Sequence, residues 1–210
     1  MRGAFSTMFL LVFSLALVAR AETPPEGFED AAVFEKVMGG EIHAQEALAT
    51  KKEFRTIFRA YFPKIVATQY ADLVVSHARY PEMFDEVKAA KTTKVNPGRT
   101  EFDYWAHIVY KFGIFNYDVY PEGRHTLVLP TTAYAEARVL HEVLNYKDQL
   151  NKVLETTRLI PWEGGILVHD DIYFMLQKES SQSTMIKNQL KKQFLRYLEK
   201  FREVLTGSAY

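Results

Sequence analysis

The sequence predicts a single α+β domain: an antiparallel meander of strands, a bent helix pair early in the chain and a long helix at its end. Three observations carry this. Several stretches alternate apolar and polar residues with a period of two, as half-buried strands do. Ser183–Leu205 instead repeats its apolar residues at helical spacing. The 210 residues include no Cys, so the domain relies on a core rather than on disulfides, and a chain of this length can build one.

The first 21 residues read as an export signal. Arg2 supplies a basic start, Met8–Val18 an apolar stretch too short to span a bilayer, and Ala19-Arg20-Ala21 a small-residue cleavage site. Cleavage is expected after Ala21, and so short a leader points to a bacterial export route, hence periplasm or medium. Without Cys there is no lipobox for lipid anchoring. Removing Arg2 and Arg20 from 26 basic residues leaves 24 against 26 acidic ones, a net of about −2. That balance argues against a nucleic-acid partner, which needs a basic face to neutralise phosphates.

Glu22–Asp30, with Pro24, Pro25 and Gly27, reads as a flexible leader, and residues 22–39 are set apart from the domain proper. Ala31–Met38 predicts a short helix stopped by Gly39-Gly40. Glu41–Ala47 and Glu53–Phe62 predict two strands. In the second, Phe54, Thr56, Phe58, Ala60 and Phe62 oppose Arg55, Ile57, Arg59 and Tyr61. Ala67, Tyr70, Ala71, Val74, Val75 and Ala78 form a helical stripe. Pro81 then disfavours a helical Tyr80 and bends the chain. Met83 and Phe84 follow in a second short helix, Val87–Val95 in a strand, and Asn96-Pro97-Gly98 in a turn.

Thr100–Tyr110, Gly113–Tyr120 and Arg124–Pro130 continue the meander. Over Tyr134–Leu154 the spacing of Leu140, Val143, Leu144, Lys147, Leu150 and Leu154 predicts a helix. Thr156–Pro161 and Ile166–Leu176 predict a hairpin across Trp162-Glu163-Gly164-Gly165. In Ser183–Leu205 one face carries Ile186, Leu190, Phe194, Tyr197, Leu198, Phe201 and Leu205, with most of the cations opposite. Ser180–Ser183 offers a cap and Gly207 a stop.

This order resembles the START-like (SRPBCC) superfamily, and in particular its exported bacterial members. The likeness runs over Gly40–Leu205. It rests on Gly40-Glu41-Ile42 before the first strand pair, the helix bent at Tyr80-Pro81, and the run Leu159-Ile160-Pro161-Trp162-Glu163-Gly164-Gly165-Ile166, closed by the long last helix. The resemblance implies a helix-grip fold over residues 40–207: a curved antiparallel sheet wrapped around the C-terminal helix, with a hydrophobic cavity between them. A helix at Tyr134–Leu154 departs from the common pattern, as an insertion between later strands that caps the cavity. The aromatic residues Phe102, Tyr104, Tyr110, Phe115, Tyr117, Phe174, Phe194, Tyr197 and Phe201 are then candidates to line the cavity, although each alone also fits a plain core.

Motifs for chemistry are sparse. His169-Asp170-Asp171 and His141-Glu142 pair imidazole with carboxylate, a combination that can hold hard or borderline cations. On a strand, however, His169 and Asp171 share one face and Asp170 the other, which reads as a polar outer face, and no metal or other cofactor is assigned. No G-x-S-x-G, H-E-x-x-H, G-x-G-x-x-G or P-loop occurs. His77 stands where START-like domains often carry a structural Asp before the bend, and is read as its substitute. The cations of the last helix allow a transient contact with an anionic membrane, or simply a solvated face broken by Glu199 and Glu203.

The expectation is therefore an exported binding protein for a lipid or isoprenoid-like molecule, with no catalytic residue assigned. Two alternatives stand beside it. One is a cyclase- or hydrolase-type enzyme using Asp170, His107 or His77. The other is a partner-binding module that uses Tyr134–Leu154 as its contact.

Overall fold

The computed structural model describes residues 23–112, 115–132, 135–145, 150–179 and 183–207; the side chains at 111, 112, 115–117 and 150 are not described. The expected export signal lies outside the described residues. The elements, in chain order, are α1 (Ala31–Met38), β1 (His43–Ala49), β2 (Glu53–Pro63), α2 (Ala67–Val75), a 3-10 turn (His77–Arg79), α3 (Tyr80–Met83), β3 (Val87–Val95), β4 (Glu101–Phe112), β5 (Phe115–Val119), β6 (Glu122–Val128), β7 (Ala137–Asn145), β8 (Leu150–Trp162), β9 (Gly165–Leu176) and α4 (Ser183–Thr206). Among them no helix is long and apolar enough to cross a membrane.

The sheet runs β1-β2-β9-β8-β7-β6-β4-β3, every pair antiparallel, with β5 off this path and paired with β4. It curls into a half-barrel around α4. The alternation read in β2 holds: Phe54, Thr56, Phe58, Ala60 and Phe62 are buried on the inner face. On the outer face Arg55 donates to Asp171. The main core joins this inner face to α2 and to the apolar stripe of α4. Gly207 closes α4 in the left-handed region at φ 67°, where a glycine meets no steric penalty.

Three local expectations are corrected. Tyr80 is helical (φ −59°, ψ −40°), because Pro81 falls in the first turn of α3, where its missing N–H costs nothing. The chain breaks instead at Ser76 (φ −82°, ψ 55°), whose hydroxyl donates to the Asp72 carbonyl at 2.6 Å. Residues 23–30 are no loose leader. Phe28 is fully buried on the outer face of the sheet, in a second small core with Val37, Ile160 and Leu167. Asp30 caps α1 by accepting from the N–H groups of Ala32 and Val33.

The helix expected over Tyr134–Leu154 is β7 and the start of β8, joined by residues that lie outside the described ones. Its apparent stripe fails because Leu140 and Leu144 are exposed, at 39% and 49%, on the outer face. The inner face of β7 alternates Ala137, Val139, His141 and Val143, a period of two.

Candidate functional site

Between the inner face of the sheet and α4 lies a cavity of about 500 Å³. Its wall is largely apolar. α2 and α3 supply Tyr70, Val74 and Tyr80, β4 supplies Ala106 and Ile108, β8 Val153, and α4 Leu190 and Leu198. Of the aromatic candidates, Tyr104, Tyr110, Phe174, Phe194, Tyr197 and Phe201 line it. Phe102 is buried in the main core. Phe115 and Tyr117 lie on β5, with side chains outside those described. Burial keeps the Tyr70, Tyr80, Tyr110 and Tyr197 phenols protonated, pushing each of them up.

A row of polar side chains crosses this apolar wall. Period-two alternation turns Tyr104 of β4, His125 of β6, His141 of β7, Glu155 of β8 and Asp170 of β9 to the same inner face. The register aligns them, since His125 pairs directly with His141, and His141 with Glu155. The Tyr104 hydroxyl lies 2.7 Å from His141 Nε2, and His141 Nδ1 lies 2.9 Å from Glu155 Oε2. A carboxylate can only accept, so Nδ1 carries the proton and Nε2 accepts from Tyr104. Glu155 in turn hydrogen-bonds Asp170, which also accepts from Thr157 at 2.9 Å. The Asp170 carboxyl is pushed well above the usual carboxylate range, first by burial and then by the charge of Glu155. Asp170 therefore keeps its proton and donates to Glu155.

His77 stands behind this row. Its Nδ1 is 3.0 Å from Thr92 Oγ1 and its Nε2 is 2.9 Å from His125 Nδ1. It thus ties the bend after α2 to β3 and β6, the partner role expected of it. Burial pulls His77 down to about 4, and burial holds His125 well below the ordinary range. The two rings stack at 5.1 Å as neutral imidazoles.

The residues read as a polar cluster do not gather. His169 faces outward beneath Phe28, with centroids 6.1 Å apart, and Asp171 pairs with Arg55. Asp170 is the correction to the polar-outer-face reading: it points inward and is 2% exposed. His107 lies on the outer side of β4, bonded to Asp118 at 2.6 Å and stacked on Tyr120. His125 and Glu155, central to the row, carry no motif. The signal that could have found them is the strand alternation of β6 and β8.

No protein-family model matches this sequence, and no curated protein does. Solved structures match in fold. A STAR-related lipid transfer protein from Xanthomonas axonopodis is 13% identical at a TM-score of 0.54, over 78% of this chain and 98% of that one. Human STARD10 is 9% identical at 0.56, over 87% and 80%. The Zhui aromatase/cyclase from Streptomyces sp. R1128 is 7% identical at 0.55, over 78% and 94%. Likeness at these identities is likeness of fold: the chain has the START-like helix-grip fold.

Proposed function

We propose that this is an exported binding protein that holds one hydrophobic small molecule, lipid or isoprenoid-like, in the cavity between sheet and α4. The observation that carries the reading is a volume of about 500 Å³ with a mainly aromatic and aliphatic wall, crossed by one polar row. Ligand pockets of roughly 300–1,000 Å³ with a few convergent polar groups follow the same plan. Retention would come from burial, at about 25 cal/mol per Å² of apolar surface removed from water, with the polar row orienting the ligand. One fold neighbour, the STAR-related lipid transfer protein from Xanthomonas axonopodis, supports the ligand class. Export rests on the leader, Met1–Ala21.

The test is organic extraction of the mature protein purified from its export compartment. About one equivalent of an apolar compound is expected. Protein that arrives empty, and stays empty when offered apolar extracts, overturns the reading.

A second reading has one observation in its favour. The hydrogen-bonded chain Tyr104–His141–Glu155 sets a hydroxyl against a base that a third group orients, the arrangement acid–base catalysis uses. It predicts that a bound compound is chemically altered by the wild-type protein and left unaltered by Tyr104→Phe.

A further inference from the structure

A hydrogen-bonded line runs from solvent to the cavity through two buried imidazoles. Thr92 is exposed on the edge strand β3. Its Oγ1 lies 3.0 Å from His77 Nδ1, and His77 Nε2 lies 2.9 Å from His125 Nδ1. His77 and His125 are 1% and 6% exposed, and His125 stands on the cavity wall.

The free end of the line is His125 Nε2, which makes no hydrogen bond among the described residues. Side-chain atoms that lack both a partner and accessible surface there are His43 Nδ1, Trp162 Nε1, His169 Nδ1 and Gln193 Oε1. His125 Nε2 is not one of them. It keeps accessible surface, and on a buried ring that lines the cavity this surface is the cavity's.

Both rings are neutral, so each carries one proton and one lone pair. Two arrangements satisfy the line. In the first, Thr92 donates to His77 Nδ1, His77 Nε2 donates to His125 Nδ1, and His125 Nε2 turns an N–H to the cavity. In the second, His125 Nδ1 donates to His77 Nε2, His77 Nδ1 donates to Thr92, and His125 Nε2 offers a lone pair. Passing from the first to the second, the His77 Nε2 proton moves to His125 Nδ1. His77 Nδ1 takes a proton from Thr92, which recovers one from water, and the Nε2 proton of His125 leaves to water. The charge of each ring is unchanged.

We propose that His125 Nε2 anchors the ligand by one uncharged oxygen, and that the line through His77 to Thr92 sets its proton to match. It donates to a carbonyl and accepts from a hydroxyl. This rests on the cavity reading above and adds the ligand's polar group: an apolar ketone or alcohol, held at the same nitrogen in either oxidation state.

The test is NMR titration of the 15N-labelled protein at pH 7.5 with three probes that share one ring system: fluorene, fluorenol and fluorenone. Long-range 1H–15N correlation spectra read the tautomer of each imidazole. Fluorenone is expected to place the protons of His125 and His77 on Nε2, and fluorenol to place both on Nδ1. Each polar probe should bind about fivefold more tightly than fluorene, the usual net yield of one hydrogen bond. His125→Phe should bring both down to the affinity of fluorene. The same tautomers with both probes, or a gain in affinity that survives His125→Phe, overturns the proposal and leaves the cavity reading standing. Failure of all three probes, fluorene included, overturns the cavity reading and this proposal with it. The wild-type spectra decide the matter even where the variant does not fold.

Discussion

The Tyr104 phenol reaches His141, 2.7 Å away, across an intervening strand. Tyr104 is on β4 and His141 on β7, with β6 between them. The reach exists because the residue of β6 opposite Tyr104 is Gly123. A Cβ there would stand 2.6 Å from the Tyr104 ring. Gly123 is thus part of the polar row, although it has no side chain to contribute.

Gly123→Ala is therefore expected to push Tyr104 off His141 and to destabilise the protein by about 1–3 kcal/mol, the usual cost of overpacking. Urea unfolding measures it. In a Tyr104→Ala background the same substitution should cost much less, because the two residues are coupled through direct contact.

The buried imidazoles set an acid limit. His77 is lowered from 6.5 to about 4, and it faces His125 on β6, His141 on β7, Tyr104 on β4, Thr92 on β3 and its neighbour Tyr80. The unfolded chain takes up protons that the folded chain refuses, so this contribution is whole above pH 6.5 and is lost as pH falls towards about 4. His125, also lowered, acts with the same sign. Thermal melts between pH 7 and pH 4 should show Tm falling across this window, with a flatter profile in His77→Gln.

Asp170 works in the opposite direction. Its raised folded pKa favours the protonated native state, so its contribution is whole below the ordinary value of 3.8 and is lost as pH rises from there. Asn in its place keeps a donor for Glu155 and an acceptor for Thr157 but does not titrate. Asp170→Asn should gain stability relative to wild type as pH rises from 4 to 8, read as a widening difference in urea midpoint.

Phe28 anchors residues 23–30 to the outer face of the sheet, meeting Phe34 and His169 edge-on at 6.3 and 6.1 Å. Phe28→Ala should cost about 3–5 kcal/mol, as for other fully buried aromatics. It should also make the segment before β1 a site of rapid proteolysis. Retained resistance there would contradict the packed arrangement.

Much of the fold is legible in local pattern. The alternation of β2 and β4, the bounds of α1 and the stripe of α4 all follow from residues close in sequence. The stretch over β7 and β8 is not, because Leu140 and Leu144 are apolar on the outer face, and a reading that equates apolar with buried turns two strands into one helix. That error hides Glu155, whose inward direction depends on strand alternation. His125 stays silent for a different reason: its partner His77 is 48 positions away, and only the sheet order brings them together. Six of the nine aromatic candidates line the cavity, on strand and helix faces that local alternation and spacing define. The polar row needs the register of five strands, which no local pattern encodes.

The central claim is that the space between sheet and α4 holds a ligand, and native mass spectrometry of two proteins tests it most directly. Ala106 lines the cavity and is 3% exposed, so Ala106→Trp places an indole where the ligand would lie. The account predicts an apolar adduct of discrete mass on the wild-type protein, absent from a variant that keeps the wild-type circular dichroism. The same adduct, at the same occupancy, on both proteins would contradict it.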